Sequence, residues 1–407
     1  MLAFAVWQEK EMSIRKLRRK RKIAAKKLFR WVTIKVIYPV LYAVYRRKPV
    51  DPNKVVFVEP RQLKPTNSMK QMIEAVEKDI SLKVLQMSIG YGKVSKKEQF
   101  RREVAFLKEF ATAGFVFMTE ALRTVGGFTK RKETKVVQLW HGCGAFKQWG
   151  FSTANLKFGG DMQTQTKYPN YRNLDLITVS SPEVIWAYEE AMGYQDAGVV
   201  QATGISRTDV FFEEGFVDTA KQRVLDAVPE AAGRKIILYA PTFRGRVISG
   251  KAPDQLDIHT MQQALGEDYY LLIKHHHHVK ELPPIPIGCE DFAKDVTHTL
   301  DINDLLCCAD ICITDYSSLI FEYALFEKPM IFFAYDLADY LEWWGFYYDY
   351  DELTPGPVVS TTQGIIDSVL HAEQEFDVEE VRQFREKFMS ACDGHATERI
   401  LKQIGLI

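Results

Sequence analysis

After residue 50 the chain repeats one pattern twice: short runs of β-branched and aromatic residues alternate with stretches of helical spacing. That alternation is how a parallel sheet with crossover helices reads in sequence. Strands are expected over 55–58, 83–87, 115–118, 136–139 and 176–179, with helices over 69–78, 97–111 and 182–192. A charged, turn-rich region at 218–233 precedes a second series at 235–239, 269–273, 311–314 and 330–334. Two Rossmann-like halves facing each other across a cleft is the economical α/β architecture, and in such sheets ligands bind at the carboxyl ends of strands. A length of 407 residues suits two such domains, drawn at 51–232 and 233–407 behind an N-terminal arm of residues 1–50.

Charge sets the arm apart. The chain as a whole balances 53 Lys+Arg against 53 Asp+Glu, yet residues 1–50 hold 15 Lys/Arg and two Glu, a net of +13, which leaves −13 for the body. A body of that sign counts against nucleic-acid binding. From Arg15 to Arg30 the bases Arg15, Lys16, Arg18, Arg19, Lys20, Arg21, Lys22, Lys26, Lys27 and Arg30 interleave with apolar residues, which predicts a basic helix. The following segment, 31–45, is apolar and aromatic but broken by Lys35 and Pro39, short of the roughly 20 apolar residues that a bilayer span needs. The arm is therefore expected to lie on an anionic membrane surface, with Trp31, Tyr38, Tyr42 and Tyr45 at the interface. A solvated helix and an RNA-binding arm are the other readings of the same charge. An apolar opening ahead of a long basic run is not the order of a secretory signal.

Six cysteines without a Cys-x-x-Cys pair offer no metal or redox framework and point to a reducing, cytoplasmic compartment. Cys307, Cys308 and Cys312 read as small buried hydrophobes.

Four segments carry chemistry. In 136–144 a strand runs into Trp140-His141-Gly142-Cys143-Gly144, which puts an imidazole at the sheet's carboxyl edge with backbone free to approach a ligand. With an ordinary pKa near 6.5, His141 suits a general base, a role typically worth about 100- to 10,000-fold; a structural histidine is the alternative. In 238–246 the strand ends at Pro241 and projects Arg244 and Arg246, whose guanidinium forks suit phosphate; a solvated loop is the alternative. Lys274 precedes four histidines, His275–His278, of which at most two share a face on an extended backbone, so no metal site is assigned. In 301–322 a short helix, a strand, a polar turn and a second helix follow one another. Thr314–Ser318 would present hydroxyls and N–H groups to a phosphate, or Asp315 or Ser317 would simply cap the helix. Glu322, one turn on, would accept hydrogen bonds from a ribose or polyol.

In this order the motifs resemble the CDP-glycerol:poly(glycerophosphate) glycerophosphotransferase family, the enzymes that prime and extend teichoic acids and related capsule polymers. The resemblance covers about residues 50–405 and rests on Trp140-His141-Gly142 with Lys147 and Gly150, the 204–209 turn, Ala240-Pro241-Thr242-Phe243-Arg244, the histidine run, Thr314–Ser318, Tyr335-Asp336 and the 393–399 stretch. Departures are His277 where the family has proline, Glu322 where it has Asp, and Ser206 where it has proline. The resemblance implies a GT-B fold, membrane attachment through the basic arm, and a C-terminal half that binds the CDP-polyol. It implies catalytic roles for His141 and His276. It also implies donor binding by Arg244, Lys274, Thr314, Ser317, Ser318 and Glu322, and an acceptor or cleft role for Gly142, Lys147, Arg207 and Asp209. The implied reaction moves a polyol phosphate, glycerol phosphate first, from a CDP-polyol to a hydroxyl of a membrane-linked acceptor and releases CMP. No cofactor is required, although Mg²⁺ can accompany the donor diphosphate. A sugar-nucleotide glycosyltransferase on the same architecture is the competing expectation.

Overall fold

The computed structural model describes residues 2–154, 156, 159, 161–245 and 249–407. They form two compact units. The first takes the chain up to Thr66 with Val76–Val137 and Gln163–Asp175; the second takes Asn67–Ala75, Gln138–Met162 and Leu176–Ile407.

In the first unit β1 (Asp51–Glu59), β2 (Lys83–Ser88), β3 (Ala113–Met118) and β4 (Lys135–Gln138) run in the order β2-β1-β3-β4. β1 pairs in parallel with both neighbours, Val55 with Val84 and with Phe115. Its run Val55, Val56, Phe57, Val58 is wholly buried, as a strand covered on both faces requires.

The arm enters this unit as a helix, Leu2–Val32, a π-helical turn, Thr33–Ile37, and a second helix, Tyr38–Tyr45. Pro39 has no N–H for the helical ladder, and the ladder widens just ahead of it. Tyr38 donates to Glu103 at 2.5 Å. Tyr42 stacks on Phe128 with ring centres 4.1 Å apart, and its hydroxyl accepts the Arg131 N–H at 2.9 Å. Both rings are buried, which corrects the expectation that Tyr38 and Tyr42 sit at a membrane interface: they are core residues, because the fold itself supplies partners for their hydroxyls. Trp31, Val36, Val40 and Val44 remain exposed. By length and composition alone the helical stretch Arg18–Tyr45 is also apolar enough to cross a membrane, although Tyr38 and Tyr42 within it are buried in this unit.

The second unit holds a parallel pair, β5 (Leu176–Thr178) and β6 (Val200–Gln201). It also holds a six-stranded sheet made of β7 (Lys235–Tyr239), β8 (Tyr269–Ile273), β9 (Ala293–Asp295), β10 (Ile311–Thr314), β11 (Met330–Phe333) and β12 (Val358–Val359). Its order is β12-β11-β10-β7-β8-β9, parallel throughout. This is a doubly wound Rossmann arrangement whose direction of winding reverses between β7 and β10, and ligands bind beyond the strand ends at such a reversal. One face, including Ile237, Tyr239, Leu271, Ile273, Ile313 and Ile331, packs on Met261, Leu265, Ile365 and Val369. Every expected strand forms; β6, β9 and β12, of two or three residues, had no local signal. All six cysteines are free and buried.

Deleting residues 1–27 is expected to leave the unfolding midpoint in place, whereas deleting 1–48 removes Tyr38 and Tyr42 and lowers it. Tyr42→Ala alone is expected to cost about 3–5 kcal/mol in a urea titration, the range for emptying a large aromatic site.

Candidate functional site at the strand ends of the second unit

The chain leaving β7 and the chain leaving β10 are bonded to each other at the winding reversal. The Asp315 carboxylate accepts the Thr242 N–H (2.9 Å) and hydroxyl (3.0 Å) and lies 2.9 Å from the Arg244 guanidinium. Asp336, just past β11, takes the other side of Arg244 as a two-pronged pair at 2.6 and 2.9 Å, and also accepts the Tyr316 hydroxyl at 3.0 Å. Tyr316, Tyr335 and Tyr340 place their rings within 5.2–5.4 Å of the same cation. Burial works against the charged guanidinium, but Asp315 and Asp336 outweigh it and hold its pKa above the ordinary value. Arg246 lies outside the described residues.

Asp315 is therefore committed to the neighbouring strand end and does not cap the helix Leu319–Tyr323. Ser317 is nearer that role, its hydroxyl 3.4 Å from the Leu319 N–H. Ser317 and Ser318 are only partly buried.

The His141 stretch packs on this turn. Trp140 stands at φ +59°, an uncommon conformation for a bulky residue, and the Leu139 carbonyl before it accepts the Thr178 hydroxyl at 2.9 Å. Gly144, at φ +61°, lies so close to the Phe321 ring that a Cβ there would meet it at 2.3 Å. A Cβ on Gly142 would sit 3.6 Å from the Ser318 hydroxyl. Arg207 fastens the arrangement: it donates to the His141 carbonyl (3.1 Å) and to Asn303 (3.0 Å) and lies 3.6 Å from the Glu322 carboxylate. His141 itself is exposed, with its ring 4.4 Å from that of Trp140. Further along, Lys147 bonds the Tyr340 hydroxyl at 3.2 Å and lies over the Trp344 ring.

The histidine run differs from its expected form. β8 ends at Ile273, and His276–Val279 close a turn, with the Val279 N–H on the His276 carbonyl at 2.8 Å. Because the backbone is no longer extended, three rings, those of His276, His277 and His278, gather with nitrogens within 4.8 Å of one another; strand alternation had limited the set to two. His276 packs on Phe243, and its Nδ1 accepts the His278 N–H at 3.2 Å. Burial, then the charges of His277, His278 and Lys147, push its pKa down to about 3, so its imidazole is neutral with the ring proton on Nε2.

The remaining expected residues are engaged in holding the fold. Lys274 donates to the Thr297 and Leu300 carbonyls, and burial lowers its pKa. Thr314 is buried with its hydroxyl on the Ala240 carbonyl. Asp209 is buried and receives the Ala396 and Thr397 N–H groups at the start of the helix Ala396–Ile404, apart from the His141 group. Sequence reasoning had not singled out Asn303, Tyr316 or Tyr340. Asp336 stands only within the Tyr335-Asp336 pair of the resemblance, without a role; its signal is a carboxylate shortly after a strand of the same sheet.

Glu322 is fully buried, which raises its pKa, and Arg207 is the main opposing influence. Arg207→Ala is expected to destabilise by about 3–5 kcal/mol near neutrality by stranding that carboxylate. Since the folded-state pKa lies above the unfolded one, the native state binds the extra proton and stability is regained as pH falls. Urea titrations at neutral and mildly acidic pH should show the variant's deficit shrinking on the acidic side.

Comparison with known proteins agrees with these features. Residues 40–406 match the family CDP-Glycerol:Poly(glycerophosphate) glycerophosphotransferase. A teichoic acid poly(ribitol-phosphate) polymerase of Bacillus spizizenii is 34% identical over 90% of this chain, which spans 58% of that protein. A teichoic acid ribitol-phosphate primase of the same organism is 30% identical over 86% of this chain and 90% of its own length. The solved structure of the wall teichoic acid polymerase TagF superposes with a TM-score of 0.74 at 21% identity, covering 96% of each chain. That likeness shows a shared GT-B-type α/β fold. With a match running from residue 40 nearly to the C-terminus, the chain belongs to the CDP-glycerol:poly(glycerophosphate) glycerophosphotransferase family.

Proposed function

We propose that the chain transfers a polyol phosphate from a CDP-polyol to a hydroxyl of a membrane-linked glycan or polyol-phosphate acceptor, in the synthesis of a teichoic-acid-like polymer. The observation that carries this reading is the seating of the His141 stretch against Ser318 at the winding reversal of the second sheet. There a proton acceptor adjoins hydroxyls placed to receive a diphosphate.

In the reaction the acceptor oxygen attacks the phosphorus that carries the polyol, and the bond from that phosphorus to the bridging oxygen breaks. CMP departs with the bonding electrons. His141 takes the acceptor's proton. His276, neutral with its proton on Nε2, donates a hydrogen bond to the charge growing on the diphosphate rather than countering it as a cation; such preorganised donors are usually the largest catalytic contribution. Ser317 and Ser318 offer further donors, and Lys147, beside His276, supplies positive charge. Arg244, already shared between two carboxylates, acts as a positioning residue that fixes the loops carrying these groups. Mg²⁺, where it takes part, is assigned to the diphosphate oxygens of the donor.

The arm would hold the enzyme at the cytoplasmic membrane face. Leu28, Phe29, Val36, Val40 and Val44 are exposed on the arm's helices, next to the exposed bases Arg18–Arg21. An apolar face beside clustered Lys/Arg suits an anionic bilayer, each base near the surface being worth about 1 kcal/mol.

Purified protein incubated with CDP-glycerol or CDP-ribitol and a lipid-linked acceptor is expected to release CMP and to carry label from the polyol's phosphate into product. Retention of both phosphates on the nucleotide would overturn the reading in favour of glycosyl transfer. His141→Ala is expected to lower turnover by about 100-fold or more while leaving donor binding measurable by calorimetry. In flotation assays, deleting residues 1–27 should weaken binding to anionic vesicles and leave the weak binding to neutral ones unchanged.

A further inference from the structure

The turn His276–His278 carries three imidazoles, and nothing in the phosphate-transfer reading uses His277 or His278. We propose that this turn is a binding site for a borderline divalent transition metal, with Zn²⁺ the representative ion.

The geometry is that of a near-formed three-nitrogen set. The ligating atoms lie within 4.8 Å of one another. At Zn–N distances of about 2.0–2.1 Å, tetrahedral coordination requires nitrogens about 3.3–3.4 Å apart, so the rings need to close by little more than 1 Å, within reach of small χ rotations. The ring centres already stand 4.3, 4.7 and 4.1 Å apart for the three pairs.

The turn is held in place from outside. Phe243 packs against His276 at 5.0 Å and edge-on against His278 at 5.2 Å, and Gly250 pairs with Val279 beneath them. A side chain at Gly250 would strike the His278 carbonyl at 2.8 Å, so the close approach that supports the turn needs glycine there. Two of the rings are half-buried and His277 is exposed, which leaves a path for an ion to enter.

Chemistry selects the ion. A metal binds imidazole through an unprotonated ring nitrogen. At His276 the Nδ1 lone pair now accepts a hydrogen bond from the His278 backbone N–H, a partner that a metal at that nitrogen would replace. An all-nitrogen set favours Zn²⁺, Ni²⁺ or Cu²⁺ over the oxygen-seeking Mg²⁺ or Ca²⁺. Three protein ligands leave a position open for water or an anion.

The test uses the full chain, stripped with a chelator and then titrated with Zn²⁺ alone by calorimetry and with Co²⁺ alone by visible absorption. One equivalent of each is expected, the Co²⁺ form showing the intense bands of a tetrahedral nitrogen site, and Mg²⁺ should not compete. His277→Ala, at an exposed position that does not threaten folding, should weaken Zn²⁺ about 10- to 100-fold, and the His277→Ala/His278→Ala pair more. Absence of stoichiometric binding to the parent chain would overturn the proposal, as would unchanged affinity in the double variant. So would loss of binding in Cys289→Ala/His259→Ala, a thiol–imidazole contact elsewhere in the chain, at 3.2 Å. CMP release is measured separately, so a failure here leaves the transfer reaction untouched, and the reverse.

Discussion

The placement of the site depends on one partly buried cation. Arg244 lies between Asp315 and Asp336, and through them ties together the chain just past β7, β10 and β11. Removing a guanidinium from water is costly, and an isolated one would not be tolerated here; two carboxylates, the Thr242 carbonyl and hydroxyl, and three aromatic rings together offset that cost. The return is geometric. Three strand ends are locked at the point where the winding of the sheet reverses, and a reversal opens a crevice only if the loops beside it are held apart in fixed positions. With two carboxylates around one guanidinium, this cluster carries no surplus positive charge.

A buried ion pair does similar work for the turn that carries His141. Glu322 cannot hold its charge so deep without Arg207, and Arg207 in turn grips the His141 carbonyl and Asn303. His141 is thereby positioned through its backbone, leaving the imidazole itself exposed. Gly144 adds a steric condition: only a residue without Cβ fits against Phe321 at that positive φ.

The arm shows the same economy in apolar terms. Tyr38 and Tyr42 are drawn into the first unit because Glu103 and Arg131 satisfy their hydroxyls there, while Val36, Val40 and Val44 stay outside. One helical segment thus has a face that completes a core and a face left exposed among the described residues. Composition alone assigned all of its aromatics to the membrane, since tyrosine suits either a wet interface or a core with a polar partner.

What the sequence determined by itself was local. β-branched runs at 235–239, 269–273 and 311–314 fixed three strands of the second sheet to the residue, and the polar turns after them fixed which side chains stand at strand ends. Those preferences act over a few residues and survive any arrangement of the strands. Tertiary structure decided the partners: Arg244 with Asp336, 92 positions away, and Arg207 with His141, 66 away. It decided as well that β6, β9 and β12 exist, since two or three residues become a strand only when an existing edge offers hydrogen bonds. The bunching of His276–His278 belongs with these, because whether a polar run continues a strand or folds into a turn depends on what packs beneath it, here Phe243 and Gly250. Pairings between distant residues follow from the order of strands in the sheet, and that order is settled by burial of the whole core rather than by any one stretch of chain.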